Sequence, residues 1–469
     1  MAHLWHKLRM RKPCARRKQT RHPQRSQHPR PPRRRPQAPH GFLAAFDELI
    51  APDQLPTVPR RRGAKPRVPL AALLASLVFH FMNATGTLAE HFALLFEDSL
   101  SDSACADRRA RTPWQVFADL MARALRPLAT RARQAEAFYR GWRLVALDGT
   151  QFSLSNTPAN HAARRKAKSR RGRAAFAKLT TGVLVELGLH NPLAAAIGQE
   201  GESEWQLALG LLASLPRRAL LLADRLHGCA AFASEAWTAC QRVGSHFLIR
   251  ARTQIKVRVL KRFRDGSRLV RLPVREKGRR DVSHYLELRE IRVRVGRPGH
   301  RSQTLRLWTT LLDPRHAPAD ELVPLYAQRW EHELYYRHLK HELRKTDLLQ
   351  SHTVPTAAQE IAALMLASAL LARERARAAE GQLPVLRVSF VKTLELLRPL
   401  WLVFEVGADL LSPEVQQELL ERFYAFLRRF ASRPRRSRSC RRAVRQPVTG
   451  WPRMLETQSI EGPLQFTLL

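Results

Sequence analysis

"WRLVALDGTQFSL", from Trp142 to Leu154, decides how the middle of the chain reads. Four apolar residues, Leu144 to Leu147, run straight into an acid, Asp148, and a glycine. An unbroken apolar run of this length, without alternation, fits a strand buried on both faces. "FAKLTTGVLVEL" (176–187) and "NPLAAAIG" (191–198) read as two more strands. "SEWQLALGLLASLP" (203–216) reads as a helix, with Ser203 at its N-cap and Pro216 past its end. "RALLLADR" (218–225) is a second buried run ending in an acid, Asp224. "AAFASEAWTACQRVG" (230–244) is a helix and "SHFLIRA" (245–251) a fifth strand. Three strands, helix, strand, helix, strand is an α/β order.

The flanks differ from this core. From 251 to 317, stretches such as "QIKVRVLKRF" and "HYLELREIRVRVG" alternate apolar with polar between Gly and Asp turns. They predict an antiparallel β insertion. Residues 41–135 carry apolar positions at three- and four-residue spacing and read as a helical domain suited to DNA binding. Residues 1–40 hold thirteen Lys and Arg, no acid and many prolines, so they read as a disordered basic arm. "PRRRGAKPR" (59–67) reads as a basic linker, and 381–469 as a helical region with an arginine-rich tail. The expected division is 1–40, 41–135, 136–250 (core, first part), 251–317 (insertion), 318–380 (core, second part) and 381–469.

Lys plus Arg is 81 and Asp plus Glu is 40, a net charge of +41. That excess is beyond what solubility needs and points to a polyanion, nucleic acid first. Five scattered cysteines without a C-x-x-C pair indicate neither a zinc knuckle nor a disulfide framework. The longest apolar stretch, 68–82, is short for a membrane span. With no export signal, a protein of a reducing cytosol, away from membranes, is expected.

"YAQRWEHELYYRHLKHELR" (326–344) sits in a helix expected from about 318 to 346 and carries ten Arg, Lys, Glu and His residues. At about 100° per residue, Arg329, Glu333, Arg337, Lys340 and Arg344 fall within roughly 80° of one another. Such a row is usually a solvated, salt-bridged surface. Here four cations face a single acid, and two other apolar runs end in the isolated aspartates Asp148 and Asp224. Two strand-end aspartates and a helix-borne glutamate are what a divalent-cation site for phosphoryl transfer needs. The neighbouring cations would hold DNA phosphates. Glu331 and Glu342 point off this face and read as solvated. The angles of His332, His338 and His341 scatter too widely for a histidine metal site. Glu200, Glu202 and Glu204 read as acids favouring the positive end of the helix behind them. Arg225 and His227 flank Asp224 as possible phosphate contacts, and the basic stretch 160–176 as a DNA contact.

Tyr326, Arg329, Glu333 and Lys340 fit Y-x2-R-x3-E-x6-K. With Asp148 in "LVALDGTQFSLSNTPAN" and Asp224 in "LLLADRLHG", the chain resembles the DDE transposases of bacterial insertion sequences, the IS-four group, over about 41–375. The resemblance implies a ribonuclease-H-like core with the β insertion ahead of the glutamate-bearing helix. It implies that Asp148, Asp224 and Glu333 hold Mg²⁺ or Mn²⁺, two ions at full occupancy. It implies hydrolytic cutting at the transposon end, then attack of the freed 3′-hydroxyl on target DNA. Arg329 and Lys340 would grip phosphates, Tyr326 would hydrogen-bond one, and Arg337, Arg344 and Arg225 would add to that grip. Double-stranded DNA, as transposon ends and target, and a second copy of the chain are the implied partners. Asn156 stands where many members carry an aspartate. Trp308, in "RLWTTLL", is the candidate for a base-stacking tryptophan of the β insertion, or else a core residue. A related metal-dependent nuclease and a non-catalytic or decayed DNA-binding protein stay open as alternatives.

Overall fold

The computed structural model describes residues 38–57, 68–83, 85–98, 100–169, 172–276, 278, 281–296, 302–346, 348–433 and 465–468. Residues 1–37 of the expected basic arm, the linker at 59–67 and residues 434–464 of the tail lie outside them.

One mixed sheet runs through the protein. Its strands are β1 (Trp142–Ser153), β2 (Lys178–Glu186), β3 (Asn191–Ile197), β4 (Ala219–Ala223), β5 (His246–Arg250), β6 (Arg258–Arg262), β7 (Arg268–Val274), β8 (His284–Gly296), β9 (Gln303–Thr309) and β10 (Gln465–Leu468). The spatial order is β3-β2-β1-β4-β5-β9-β8-β7-β6, with β10 added to β8 and the short strand Phe138–Tyr139 to β1. β1, β2 and β3 are antiparallel neighbours, while β1, β4 and β5 run parallel. All remaining pairs are antiparallel.

The expected insertion therefore continues the core sheet. β9 pairs with β5 through Leu307↔Arg250, Trp308↔Ile249 and Thr309↔Leu248. The outer edge strand β6 is exposed at every position, and its Arg258, Lys261 and Arg262 keep that edge from pairing with another chain.

Helices α1 (Phe42–Leu49), α2 (Leu70–Met82), α3 (Leu88–Phe96), α4 (Asp102–Ala110) and α5 (Trp114–Ala124) precede the sheet, and the short α6 (Pro158–Ala163) follows β1. α7 (Glu204–Leu211) joins β3 to β4, and α8 (Ala230–Val243) joins β4 to β5. Beyond β9 come α9 (Ala319–Ala327), α10 (Trp330–Arg337), α11 (Val354–Ala379), α12 (Phe390–Val406) and α13 (Pro413–Arg429).

The central strands are apolar on both sides because both sides are covered. Val145 and Leu147 of β1 and Leu221 and Ala223 of β4 pack against Leu211 of α7 and Phe232 and Ala236 of α8. Leu144, Ala146, Leu220 and Leu222 pack against Leu322, Val323 and Leu325 of α9. The helices of 41–135 and those beyond 381 share one further core around α11, through residues such as Phe42, Leu77, Phe117, Leu364 and Trp401. α11 is long and apolar enough to cross a membrane, yet most of it is buried among these helices.

The single helix expected over 318–346 is three segments. Pro324 has no N–H to give, and the chain tightens just after it, with Gln328 N bonded to Leu325 O and Arg329 N to Tyr326 O. After α10 the turn His338–Leu343 widens to π geometry, closing with Arg344 N on Leu339 O. Tight and wide turns break the uniform 100° advance, so side chains at the two ends of the row leave the shared face.

Candidate active site

The sheet register places the two aspartates. Leu147 of β1 pairs with Ala223 of the parallel neighbour β4, so Asp148 and Asp224, one residue on, sit side by side where the pairing of these two strands stops, about 5 Å apart between strands. Asp224 follows the end of β4, as expected, whereas Asp148 lies inside β1, where pairing with β4 stops and pairing with β2 runs on to Ser153. The Asp148 carbonyl accepts a 2.8 Å hydrogen bond from the Tyr336 hydroxyl, and its Oδ1 accepts from the Gly149 amide at 2.9 Å. Asp224 Oδ1 accepts from the Leu226 amide at 2.8 Å and lies 3.0 Å from His227 Nδ1. Burial works to raise the Asp224 carboxyl, but the His227 bond and the Leu226 amide hold it below the usual carboxylate range.

α10 brings the third acid. His332 anchors the helix, its ring wholly buried and Nε2 3.0 Å from the Val183 carbonyl of β2. Tyr336, one turn on, is the side chain that holds the Asp148 carbonyl. Arg329 then ties the acids together, donating to Asp148 Oδ2 at 3.1 Å and to Glu333 Oε1 at 2.9 Å. Asp148 and Arg329 are largely covered, at 13% and 16% side-chain exposure, whereas Glu333 is 40% exposed.

The other expected contacts divide. Arg337 and Arg225 are exposed. Lys340 Nζ donates to the Gln151 carbonyl of β1 at 2.8 Å and lies over the Phe152 ring, beside the aspartate edge. Tyr326 does not present its hydroxyl to a ligand: the ring is buried and the hydroxyl donates to the Ala223 carbonyl at 3.3 Å, bracing the residue before Asp224. Arg344 is likewise turned inward by the π turn, bonded to the buried Glu360 carboxylate at 2.7 Å and to the Leu348 carbonyl. Arg329 reaches two acids and, as it stands, holds carboxylates where phosphates were expected.

Three further expectations meet the structure here. Trp308 is wholly buried with Nε1 donating to Glu290 at 3.2 Å, so it is a core residue and offers no stacking face. Trp330, at the start of α10, is 58% exposed. Glu331 is not solvated: it accepts from the Gly188 amide at 2.7 Å, and burial pushes its carboxyl up to about 7. Asn156 Oδ1 lies 2.9 Å from His161 Nε2, a local tie in the loop beyond β1.

Sequence reasoning passed over Glu204. It was read with Glu200 and Glu202 as a charge favouring a helix end, and it does sit in the first turn of α7. Its side chain also runs across Gly149, next to Asp148: a Cβ there would overlap Glu204 Cγ and Cδ and lie 2.8 Å from Oε1. Burial, then the Asp148 charge, raises the Glu204 carboxyl. The one signal in sequence is the glycine following the first aspartate.

Asp148, Asp224 and Glu333 are hard oxygen donors of the kind Mg²⁺ and Mn²⁺ take. Among the described residues no three His, Cys, Asp or Glu side chains converge closely enough to enclose an ion. The Arg329 guanidinium, between Asp148 and Glu333, supplies the positive charge that a cation would supply there. The donor set fits a divalent cation, and accepting one requires Arg329 to loosen its hold.

Residues 140–370 match the family described as the transposase DDE domain, a span that contains Asp148, Asp224 and Glu333. The chain is 26% identical over 241 residues to the transposase InsG of insertion sequence element IS4 from Escherichia coli strain K12. That match covers 51% of this chain and 54% of the relative, so the chain spans about half the length of the curated relative it matches. A cryo-EM structure of a piggyBac transposase synaptic complex with hairpin DNA aligns over 83% of this chain and 85% of that one, at 8% identity and a TM-score of 0.40. At that score the alignment carries no argument. Residues 140–370 of this chain therefore match the transposase DDE domain family, and about half of the chain is similar to a transposase of the IS4 element.

Proposed function

We propose that the chain is an insertion-sequence transposase that binds the terminal inverted repeats of its element, cuts the DNA there and joins the freed end to target DNA. The observation that carries this reading is the Leu147↔Ala223 register, which sets Asp148 and Asp224 side by side, with Glu333 tied to Asp148 through Arg329. The strand arrangement supports a ribonuclease-H-like core: three antiparallel strands, then two parallel ones reached through α7 and α8. Asp148, Asp224 and Glu333 would hold Mg²⁺ or Mn²⁺. Such ions, when bound, supply Lewis acidity at the phosphodiester.

The chain's own residues do the rest. Tyr326 and Tyr336 fix the backbone on either side of the aspartate edge, so the carboxylates are placed before substrate arrives. Lys340 lies one strand-end away and can turn its amine from the Gln151 carbonyl to a phosphate. Arg337 and Arg225, both exposed, add to the backbone grip. Once Arg329 is displaced from the carboxylates, its fork suits a phosphate. Trp330, exposed beside Arg329, offers the stacking face that Trp308 lacks. Two ends must be brought together, so two copies act in one complex.

The test is cleavage of a labelled duplex carrying the element's own end, with Mg²⁺, beside Asp148→Ala and Glu333→Ala and a binding control. Cutting by the wild type alone, with binding retained in both variants, supports the reading. Binding without cutting by the wild type would leave a DNA-binding protein without catalysis.

A further inference from the structure

We propose that Glu204 is a fourth carboxylate of the cation site, approaching from the side of Asp148 opposite the helix that carries Glu333; this deepens the transposase reading and rests on it. Three observations converge. The first turn of α7 is fixed: the Ser203 hydroxyl accepts from the Gln206 amide, and Gln206 Oε1 accepts from the Ser203 amide at 2.9 Å. Glu204 is thus held on a locked turn with its side chain directed over β1.

The space it crosses is made by a glycine. Gly149 lies in regular extended strand, in register with Gly182, and has no left-handed backbone that would require glycine. What it lacks is the Cβ that would collide with Glu204. The missing Cβ lets a carboxylate reach the residue next to Asp148 (an ordinary side chain at 149 would close that route).

Charge balance is the third observation. Among the described residues Glu204 forms no ion pair, and its carboxylate lies over Gly149, the residue that follows Asp148. Arg329 is spent on Asp148 and Glu333. His227 is wholly buried against Phe232 with Nδ1 on Asp224, and its Nε2 has no hydrogen-bond partner. Among the described residues, the side chains bonded to Asp148, Asp224 and Glu204 are Arg329, on Asp148, and the buried His227, on Asp224. A divalent cation would balance what the protein does not.

The test is Mn²⁺ binding to the full chain without DNA, followed by titration calorimetry and by the Mn²⁺ spin-resonance signal. The variants are Glu204→Gln, Glu204→Asp, Gly149→Ala and Asp148→Asn. Glu204→Gln is expected to weaken Mn²⁺ at least tenfold while leaving the metal-free melting temperature no lower than wild type. Glu204→Asp should fall between the two. Gly149→Ala should weaken Mn²⁺ comparably alone and add nothing in a Glu204→Ala background. If Asp148→Asn loses Mn²⁺ while Glu204→Gln binds within twofold of wild type, the fourth ligand is overturned and the three-carboxylate site stands. If the wild-type chain binds no Mn²⁺, the cation reading of the site falls, and this inference with it.

Discussion

Replacing Arg329 with glutamine separates an arginine that stands in for a cation from one that is simply structural. The guanidinium makes two charge-assisted hydrogen bonds, at 3.1 Å to Asp148 and 2.9 Å to Glu333. The Asp148 arm is nearly covered, and a hydrogen bond to a charged group in such a setting contributes about 1.5–3 kcal/mol. The Glu333 arm is 40% exposed, so solvent screening reduces it to about 0.5 kcal/mol. Their sum predicts a loss of about 3 kcal/mol in a chelating buffer, a fall on the order of 6 °C in the midpoint of thermal unfolding. With saturating Mn²⁺ the carboxylates gain another counter-charge, and the gap between variant and wild type should narrow to a fraction of that. Differential scanning fluorimetry with EDTA and with Mn²⁺ reads both numbers. An equal deficit in the two buffers would refute the idea that the arginine and the cation compete for the same oxygens.

Trp308→Ala is expected to cost about 3–5 kcal/mol of stability, as for a large buried aromatic, whereas Trp330→Ala should change stability by less than about 0.5 kcal/mol yet reduce cleavage of the end duplex; a melt and a cleavage assay on both variants compare them directly. Arg225→Ala and Arg337→Ala should each weaken DNA binding and lower the salt slope by about 1, while Arg344→Ala should lower the melting temperature by stranding the buried Glu360; an Arg344→Ala protein that melts like wild type but loses DNA would reverse that assignment. Glu331 titrates near pH 7 in the folded protein and near 4.5 unfolded. The folded state therefore binds the extra proton between those values, and stability from this group is full below about pH 4.5 and is lost as pH rises to about 7. Glu331→Gln should accordingly stabilise the protein at pH 8, on the order of 3 kcal/mol from the size of the shift, and do nothing at pH 4.5. A difference between the two proteins that does not vary with pH would count against the buried carboxyl.

Much of the site was legible because buried strands announce themselves. Leu144–Leu147 and Ala219–Ala223 are unbroken apolar runs, and each carries its aspartate past the end. Chain order alone could not say that the two strands are neighbours in parallel register, which is what joins Asp148 to Asp224. The helix was harder. A uniform 100° advance puts Tyr326 and Arg344 on the row of Glu333, but the tightening after Pro324 and the π turn at His338–Leu343 send one into the sheet and the other toward α11. Pro324 was visible in the sequence and marked the first break; nothing marked the second. Glu331 was misplaced because helical angles tell which way a side chain leaves the helix, not what lies there: a glycine turn with its free amide at Gly188. Trp308 lies on a strand whose two faces are both covered where it meets β5, so alternation within "QTLRLWT" could not expose it. Glu204 was hidden by an adequate bland explanation, since a glutamate in the first turn of a helix needs no other reason to be there.

The junction between β5 and β9 constrains how this protein can be shortened. Three register pairs join the core to the ribbon beyond it, and Phe247, Leu248 and Ile249 on the core side are wholly buried. A minimal version trimmed of residues 258–309 would end its sheet at β5, an apolar strand with a full row of open amides and carbonyls and no charged side chain between its two ends. Such an edge recruits strands from other molecules. Miniaturisation should therefore keep β9 as a cover strand before the loss of DNA contacts is even considered.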